Sequence, residues 1–272
     1  VYKRQLVKAG LDRVNISLDS VHSETFETMT RRSLLHRVLD GIDGSVAAGL
    51  SPIKINAVLQ PGINEYEAPE LLQWCLERGF QLRFIEYMPL DGAGRWTRER
   101  MITAEDVWQL LSPHFVLAPV EAPRNGAPAE LFNVWARPGA EAPGAPGTAS
   151  RTRTMAGESG SGATEDQPTS VPFTPDADIP DGDPLGTVGI IASVTRPFCA
   201  DCTRTRLTAE GRVRTCLFSH TETDLLGLMR SGASDEDIAD RWRAAQWGKQ
   251  AGHGMHRDDF VQPERPMSAI GG

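Results

Sequence analysis

Three of the four cysteines fall within eighteen residues: Cys199-Ala200-Asp201-Cys202 and, after thirteen intervening residues, Cys216. A C-x-x-C pair places two thiols on one turn, and a returning hairpin brings a third to the same point, which is metal-site spacing. Two metals compete on that spacing. His220 follows Cys216 by four positions, so C-x₂-C-x₁₃-C-x₃-H matches a closed Cys₃His zinc site. The same three thiolates match a [4Fe–4S] cluster whose fourth iron lacks a protein ligand. A disulfide is the third and weakest reading, because secreted disulfide scaffolds carry more cysteines in shorter chains. Cys75 lies on the apolar face of a helical stretch and reads as a buried structural thiol.

The residues after the C-x-x-C add a second chemistry. Thr203-Arg204-Thr205-Arg206 sets two arginines at alternate positions of an extended segment. Period two sends both side chains to one face. Two guanidiniums beside a metal site suit a polyphosphate or a nucleobase carbonyl, since each offers paired planar donors. The plainer reading is two charges on a solvated strand face.

The composition narrows the classes. The net charge of −8 argues against a general nucleic-acid binder. Any anionic ligand must then be held by a local cluster of Lys and Arg. No apolar run reaches the length of a membrane span and no secretory signal opens the chain. A soluble, reducing, cytoplasmic setting is the expectation, with no membrane partner. The opening Val1–Gln5 is uninformative.

Elements that position these residues follow from periodicity. Arg13–Leu18, Ile53–Leu59 and Leu82–Met88 read as buried strands. Between them lie helical stretches, Ser23–Ala48 with a break near Thr30–Ser33, and Glu67–Arg78, each stopped by a glycine. Thr103–Leu111 reads as a further helix, with Thr103 as cap and Asp106 in the capping-box position. Alternating strands and helices predict an α/β architecture with a parallel sheet, either doubly wound or a partial (β/α) barrel. Phe115–Val120, Leu131–Ala136 and Thr187–Val194 read as strands of a small antiparallel layer, interrupted by a Pro-, Gly-, Ala- and Ser-rich insertion from Arg137 to Pro184. That insertion has too few large apolar residues to order itself. Leu207–Ala209 and Arg212–Phe218 read as a hairpin carrying Cys216 on its second strand, followed by helices near Thr223–Arg230 and Ser234–Trp247 and a polar tail from Gly248.

Phe198-Cys199-x-x-Cys202-x-Arg204-x-Arg206-Leu207, then Gly211 and Cys216-Leu217-Phe218, resembles the auxiliary-cluster motif of the radical-SAM GTP 3′,8-cyclases, the molybdenum cofactor biosynthesis protein A family. Asp12–Asp19, Ile53–Asn56, Leu82–Met88, Gly189–Ser193 and the terminal Gly271-Gly272 fall where that family has matching segments. The resemblance covers about Leu6 to Gly272, apart from the insertion. It implies the C-terminal part of an incomplete (β/α)₆ radical-SAM barrel over residues 6–113. A small C-terminal iron–sulfur lobe with antiparallel strands would follow over 114–272, with the flexible insertion at about 137–184.

In that family a cluster held by C-x₃-C-x₂-C cleaves S-adenosylmethionine. The resulting radical takes hydrogen from C3′ of GTP, and C3′ then joins C8 to give 3′,8-cyclo-7,8-dihydro-GTP. A second cluster anchors the purine. Carried onto this chain, the resemblance implies that Cys199, Cys202 and Cys216 ligate the auxiliary [4Fe–4S] cluster, with His220 incidental. Lys54, Arg83, Arg204, Thr205 and Arg206 would contact GTP, Ser17 and Met88 would line the S-adenosylmethionine site, and Gly271 and Gly272 would reach the active site. Lys54, without the resemblance, is a snorkelling edge lysine. A homodimer is the assembly the resemblance implies. The chain has no C-x₃-C-x₂-C, so the S-adenosylmethionine cluster is expected only in a missing N-terminal part and the chain alone is expected to be inactive. Two rival functions stay open on sequence: a non-catalytic Cys₃His zinc-stabilised binding module, and another radical-SAM enzyme with an auxiliary cluster.

Overall fold

Burial alternates residue by residue along Val14–Ser17, Ile53–Ala57 and Gln81–Ile85, and that alternation decides where their polar residues go. In the computed structural model, which describes residues 2–90, 96–144, 178–255, 257 and 260–270, the chain divides into two compact units. The first comprises Val1–Glu86, Met101–Pro123 and Ala129–Arg196; the second comprises Tyr87–Arg100, Arg124–Pro128 and Pro197–Gly272.

The first unit opens with α1 (Tyr2–Lys8), β1 (Val14–Ser17), α2 (Ser23–Thr30) and α3 (Leu35–Val46). The expected break between the two helices is real: Arg31 closes α2 in a left-handed conformation, φ 58°. β2 (Ile53–Ala57), α4 (Ala68–Glu77), β3 (Gln81–Ile85), α5 (Ala104–Leu111), β4 (Phe115–Pro119), β5 (Glu130–Ala136) and β6 (Gly186–Ile191) follow. α5 begins with the expected capping box, in which Thr103 accepts from the Asp106 N–H and the Asp106 carboxylate accepts from the Thr103 N–H.

These strands form one mixed six-stranded sheet in the order β1-β2-β3-β6-β5-β4. β1, β2, β3 and β6 run parallel, β5 pairs antiparallel with β6, and β4 pairs antiparallel with β5. The fold is α/β, as expected. The antiparallel strands, however, continue the parallel sheet through the β3–β6 pair, so β4–β6 lie in the first unit and not in a separate lobe beginning at residue 114. Residues 145–177, the centre of the expected flexible insertion, lie outside the described residues. Ile55, Leu82, Phe84, Val188 and Ile190 on one face of the sheet, with Leu71, Leu72 and Leu111 from α4 and α5, make the core. Burying each such side chain stabilises by about 1.5–3 kcal/mol.

The second unit contains β7 (Arg206–Leu207), β8 (Arg212–Arg214), β9 (Thr223–Asp224), α6 (Leu226–Arg230) and α7 (Asp235–Trp247). β7, β8 and β9 form a small antiparallel sheet. The β7–β8 turn needs Gly211, whose φ is +70° and whose added Cβ would stand 2.5 Å from the Leu226 Cβ. Two expectations shift here. β8 ends at Arg214, so Cys216 sits in the turn beyond the strand. Thr223 starts a third strand and not the helix, which begins at Leu226. Among the described residues, no helix is long and apolar enough to cross a membrane.

Candidate functional site

In the first unit, the sheet face opposite the core carries a polar row. Register places Ser17 opposite Asn56, Asn56 opposite Arg83, and Arg83 opposite Gly189, across four strands. One step back, Asn15 is opposite Lys54. The Arg83 Nη2 donates to the Asn15 Oδ1 at 2.8 Å. Gly189 makes room for that guanidinium arm, because a Cβ there would lie 2.9 Å from the Arg83 Cγ and 3.1 Å from the Ala129 Cβ. Burial, and then the neighbouring Arg83 and Arg13 charges, push the Lys54 ammonium below its ordinary pKa. Burial likewise lowers Arg83. Three cations gathered on one polar face favour an anion. Lys54 is therefore no edge lysine: β2 lies between β1 and β3.

The C-terminal ends of these strands are pinned by local carboxylates. Asp19 accepts from the Val58 N–H at 2.8 Å, while Asn64 donates to the carbonyls of Asp19 and Val58. Glu86, only 3% exposed, follows β3 and is the most heavily used of them. Its Oε1 accepts from the Ala104 N–H and the Thr195 hydroxyl, and its Oε2 from the Val194 and Thr195 N–H groups.

In the second unit, a single helical turn at Cys199–Asp201 presents Cys199 and Cys202, and the turn after β8 presents Cys216. All three thiols are free and half-buried. They stand within electrostatic range of one another. Burial raises the Cys199 thiol most, offset by a hydrogen bond from the His253 backbone, with the Cys216 and Cys202 charges raising it further. Burial pushes Cys202 up as well, but a hydrogen bond from the Arg204 backbone and another from the Lys249 side chain outweigh it, and the net displacement is downward.

Arg206 feels the charges of Arg204, Cys202, Cys216 and Arg214 after its own burial, so the two arginines do gather beside the thiols. Arg204 lies over the Phe198 ring at 4.6 Å and its Nε makes no hydrogen bond among the described residues. The Thr205 hydroxyl donates to the Arg214 carbonyl at 3.4 Å, bracing β7 on β8. Arg124, Asn125, Gly126, Ala200, Cys202 and Thr203 line a cavity of about 480 Å³ next to these groups. His220 is elsewhere: it is exposed and lines another cavity with Arg212, Arg214 and Arg265. Among the described residues, no three His, Cys, Asp or Glu side chains converge tightly enough to hold a single ion.

Ser17 ends β1 in the first unit, exposed, and Met88 belongs to the second unit. Gly271 and Gly272 lie outside the described residues. Sequence reasoning passed over Lys249, Gln250 and His253, which lay in a stretch read only as a polar tail. The available signal was a run of donors directly after the glycine that stops α7.

Cys75 is fully buried in α4, and burial, only partly offset by the Arg78 charge, pushes its thiol up to about 12. In the native metal-free chain at mildly alkaline pH, iodoacetamide is expected to label Cys199, Cys202 and Cys216 and to spare Cys75 until denaturant is added. Peptide mass spectrometry checks this, and native labelling of Cys75 counts against its burial.

A family model described as Radical SAM superfamily matches residues 4–75, and one described as Molybdenum Cofactor Synthesis C matches residues 164–255. A GTP 3′,8-cyclase of Paenarthrobacter nicotinovorans is 53% identical over 272 residues, covering 98% of this chain and 66% of that protein. Others from Mycobacterium marinum and Corynebacterium glutamicum are 48% and 45% identical, with 62% and 60% of their lengths covered. The chain thus spans 60–66% of the length of these curated relatives. With this identity sustained over 98% of its residues and both family models matched, the chain belongs to the family of the radical-SAM GTP 3′,8-cyclases.

Proposed function

We propose that this chain forms the substrate-holding portion of a GTP 3′,8-cyclase, which converts GTP to 3′,8-cyclo-7,8-dihydro-GTP in molybdenum cofactor biosynthesis. The observation that carries the reading is the gathering of Cys199, Cys202, Cys216, Arg204 and Arg206 in one place. The donor set fits a [4Fe–4S] cluster. The three half-buried thiols attract backbone and side-chain donors, and a cluster needs its thiolates spread around a body wider than one ion. When bound, such a cluster offers one iron without a protein ligand to the purine, while S-adenosylmethionine supplies the radical.

The chain's own residues supply binding and orientation. Arg204 and Arg206 bring charge-assisted donors beside the thiols, and Phe198 holds the Arg204 plane from beneath. Thr205 fixes the strand between them. Lys54 and Arg83 provide cations for phosphate oxygens, with Asn15 steadying Arg83. Ser17 and Met88 are assigned to S-adenosylmethionine. Selectivity in radical chemistry comes from holding the right hydrogen in place, so these contacts are where the protein determines the outcome.

Anaerobic reconstitution of the chain is expected to yield acid-labile sulfide and iron with little zinc. Stoichiometric zinc without sulfide overturns the cluster assignment. With the cluster in place, Arg204→Ala and Arg206→Ala are each expected to lose a charge-assisted contact to GTP worth about 1.5–3 kcal/mol. Calorimetry should then show roughly a ten- to hundredfold weaker GTP affinity at unchanged iron content. Unchanged affinity in both variants makes the pair ordinary surface charges.

A further inference from the structure

α7 ends at Trp247, and the chain turns at Gly248. What the turn delivers is a short run of donors, Lys249 through His253, laid across the cysteine turn. The Lys249 ammonium donates to the Cys202 carbonyl and, at 3.3 Å, to the Arg204 carbonyl. It also reaches the Cys202 thiol. The Gln250 Nε2 donates to the Cys216 Sγ at 3.5 Å. The His253 backbone N–H faces the Cys199 thiol. His253 itself is 8% exposed, accepts from the Met255 N–H at 3.0 Å, and meets Phe218 edge-on at 5.4 Å. The segment is therefore tied down at both ends, and each of the three cysteines receives a donor from it.

Three thiolates around an iron–sulfur core carry negative charge into a half-buried place. Hydrogen bonds to the sulfurs and nearby positive charge stabilise the reduced cluster, which has one more electron, over the oxidised one. A strap that touches all three sulfurs acts on the whole cluster. Lys249 has a second effect, since its bonds to two carbonyls fix the backbone from which Cys202 and Arg204 project.

We propose that Lys249, Gln250 and the His253 N–H form a donor strap that compensates the charge of the auxiliary cluster and raises its reduction potential, with Lys249 also positioning the Cys202–Arg204 segment. The proposal rests on the assignment of the three cysteines as cluster ligands. Lys249→Met keeps the length of the side chain and removes its charge, and Gln250→Leu keeps the shape of an exposed side chain and removes its donor.

The experiment is an anaerobic titration of the reconstituted chain with dithionite, which donates one electron per cluster, followed by electron paramagnetic resonance. Iron and sulfide are measured first, and a wild-type chain without sulfide overturns the ligand assignment and the strap with it. With the cluster present, both variants are expected to shift the midpoint to lower potential, Lys249→Met further than Gln250→Leu. The double variant should shift about as far as both together, and Lys249→Arg should restore most of the loss. Should Lys249→Met fail to retain its cluster, Gln250→Leu decides alone. A wild-type midpoint in cluster-loaded Gln250→Leu overturns the strap, as does a wild-type midpoint in both variants.

Discussion

Glu86→Ala is expected to destabilise the first unit by about 3–6 kcal/mol, a large part of a typical domain's stability. The buried carboxylate receives three backbone N–H groups and one hydroxyl, at 2.5–2.9 Å. Its removal leaves three amides without their acceptor, each costing about 1–3 kcal/mol where water cannot reach. The Ala104 amide is also the first of α5, where a negative charge interacts favourably with the helix dipole. Glu86→Gln is expected to recover only part of the loss. A carboxylate accepts at both oxygens, whereas an amide accepts at one and would turn its NH₂ toward amides that are themselves donors. Urea denaturation of the two variants checks this. A midpoint for Glu86→Ala within error of wild type would show that these amides find other acceptors.

Glu222→Ala is expected to cost about 3–5 kcal/mol in the second unit, because it strands a buried charge. Arg214 is 3% exposed and its Nη1 pairs with the Glu222 Oε1 at 2.9 Å. Its Nη2 donates to the carbonyls of Leu217 and Ser219, so the guanidinium holds the turn that presents Cys216. Arg265 adds contacts to Glu222 and Glu210. Unpaired, Arg214 will seek water and carry that turn with it. Thermal unfolding should fall sharply, and bound iron should be lost faster under chelator. Changing Arg214 to Met in the same chain removes the stranded charge and should return part of the stability. A single variant as stable as wild type, retaining iron as long, would count against the pair's structural role.

Local chemistry was readable in the residues. The α5 capping box and the interruption between α2 and α3 involve neighbours within a few positions, where side-chain spacing carries the signal. The cysteine and arginine spacing likewise brought its partners to one place. Long-range pairing was not readable. Nothing local in Leu82–Ile85 or Val188–Ile191 says that the two strands are neighbours, so β4–β6 read as a separate layer. β8 and β9 have three and two residues, too short for periodicity to place Cys216 or Thr223 relative to their ends. The donors after α7 depend on the direction in which that helix points, which no window of sequence records.

The pairing of β3 with β6 also sets an order of events during synthesis. Gln81 and Thr187, joined side chain to side chain at 3.0 Å, are 106 positions apart. At a translation rate of about 5–20 residues per second, β6 emerges roughly 5–20 s after β3. Through that interval β1, β2 and β3 can pair among themselves, but the outer edge of β3 has unsatisfied N–H and C=O groups, the kind of edge on which nascent chains pair with one another. The central residue of β3 is Arg83. A charge at the middle of an exposed strand edge discourages such pairing. The side chain whose Cγ packs against Gly189 in the finished sheet is thus in place as a guard on the ribosome before Gly189 has been made.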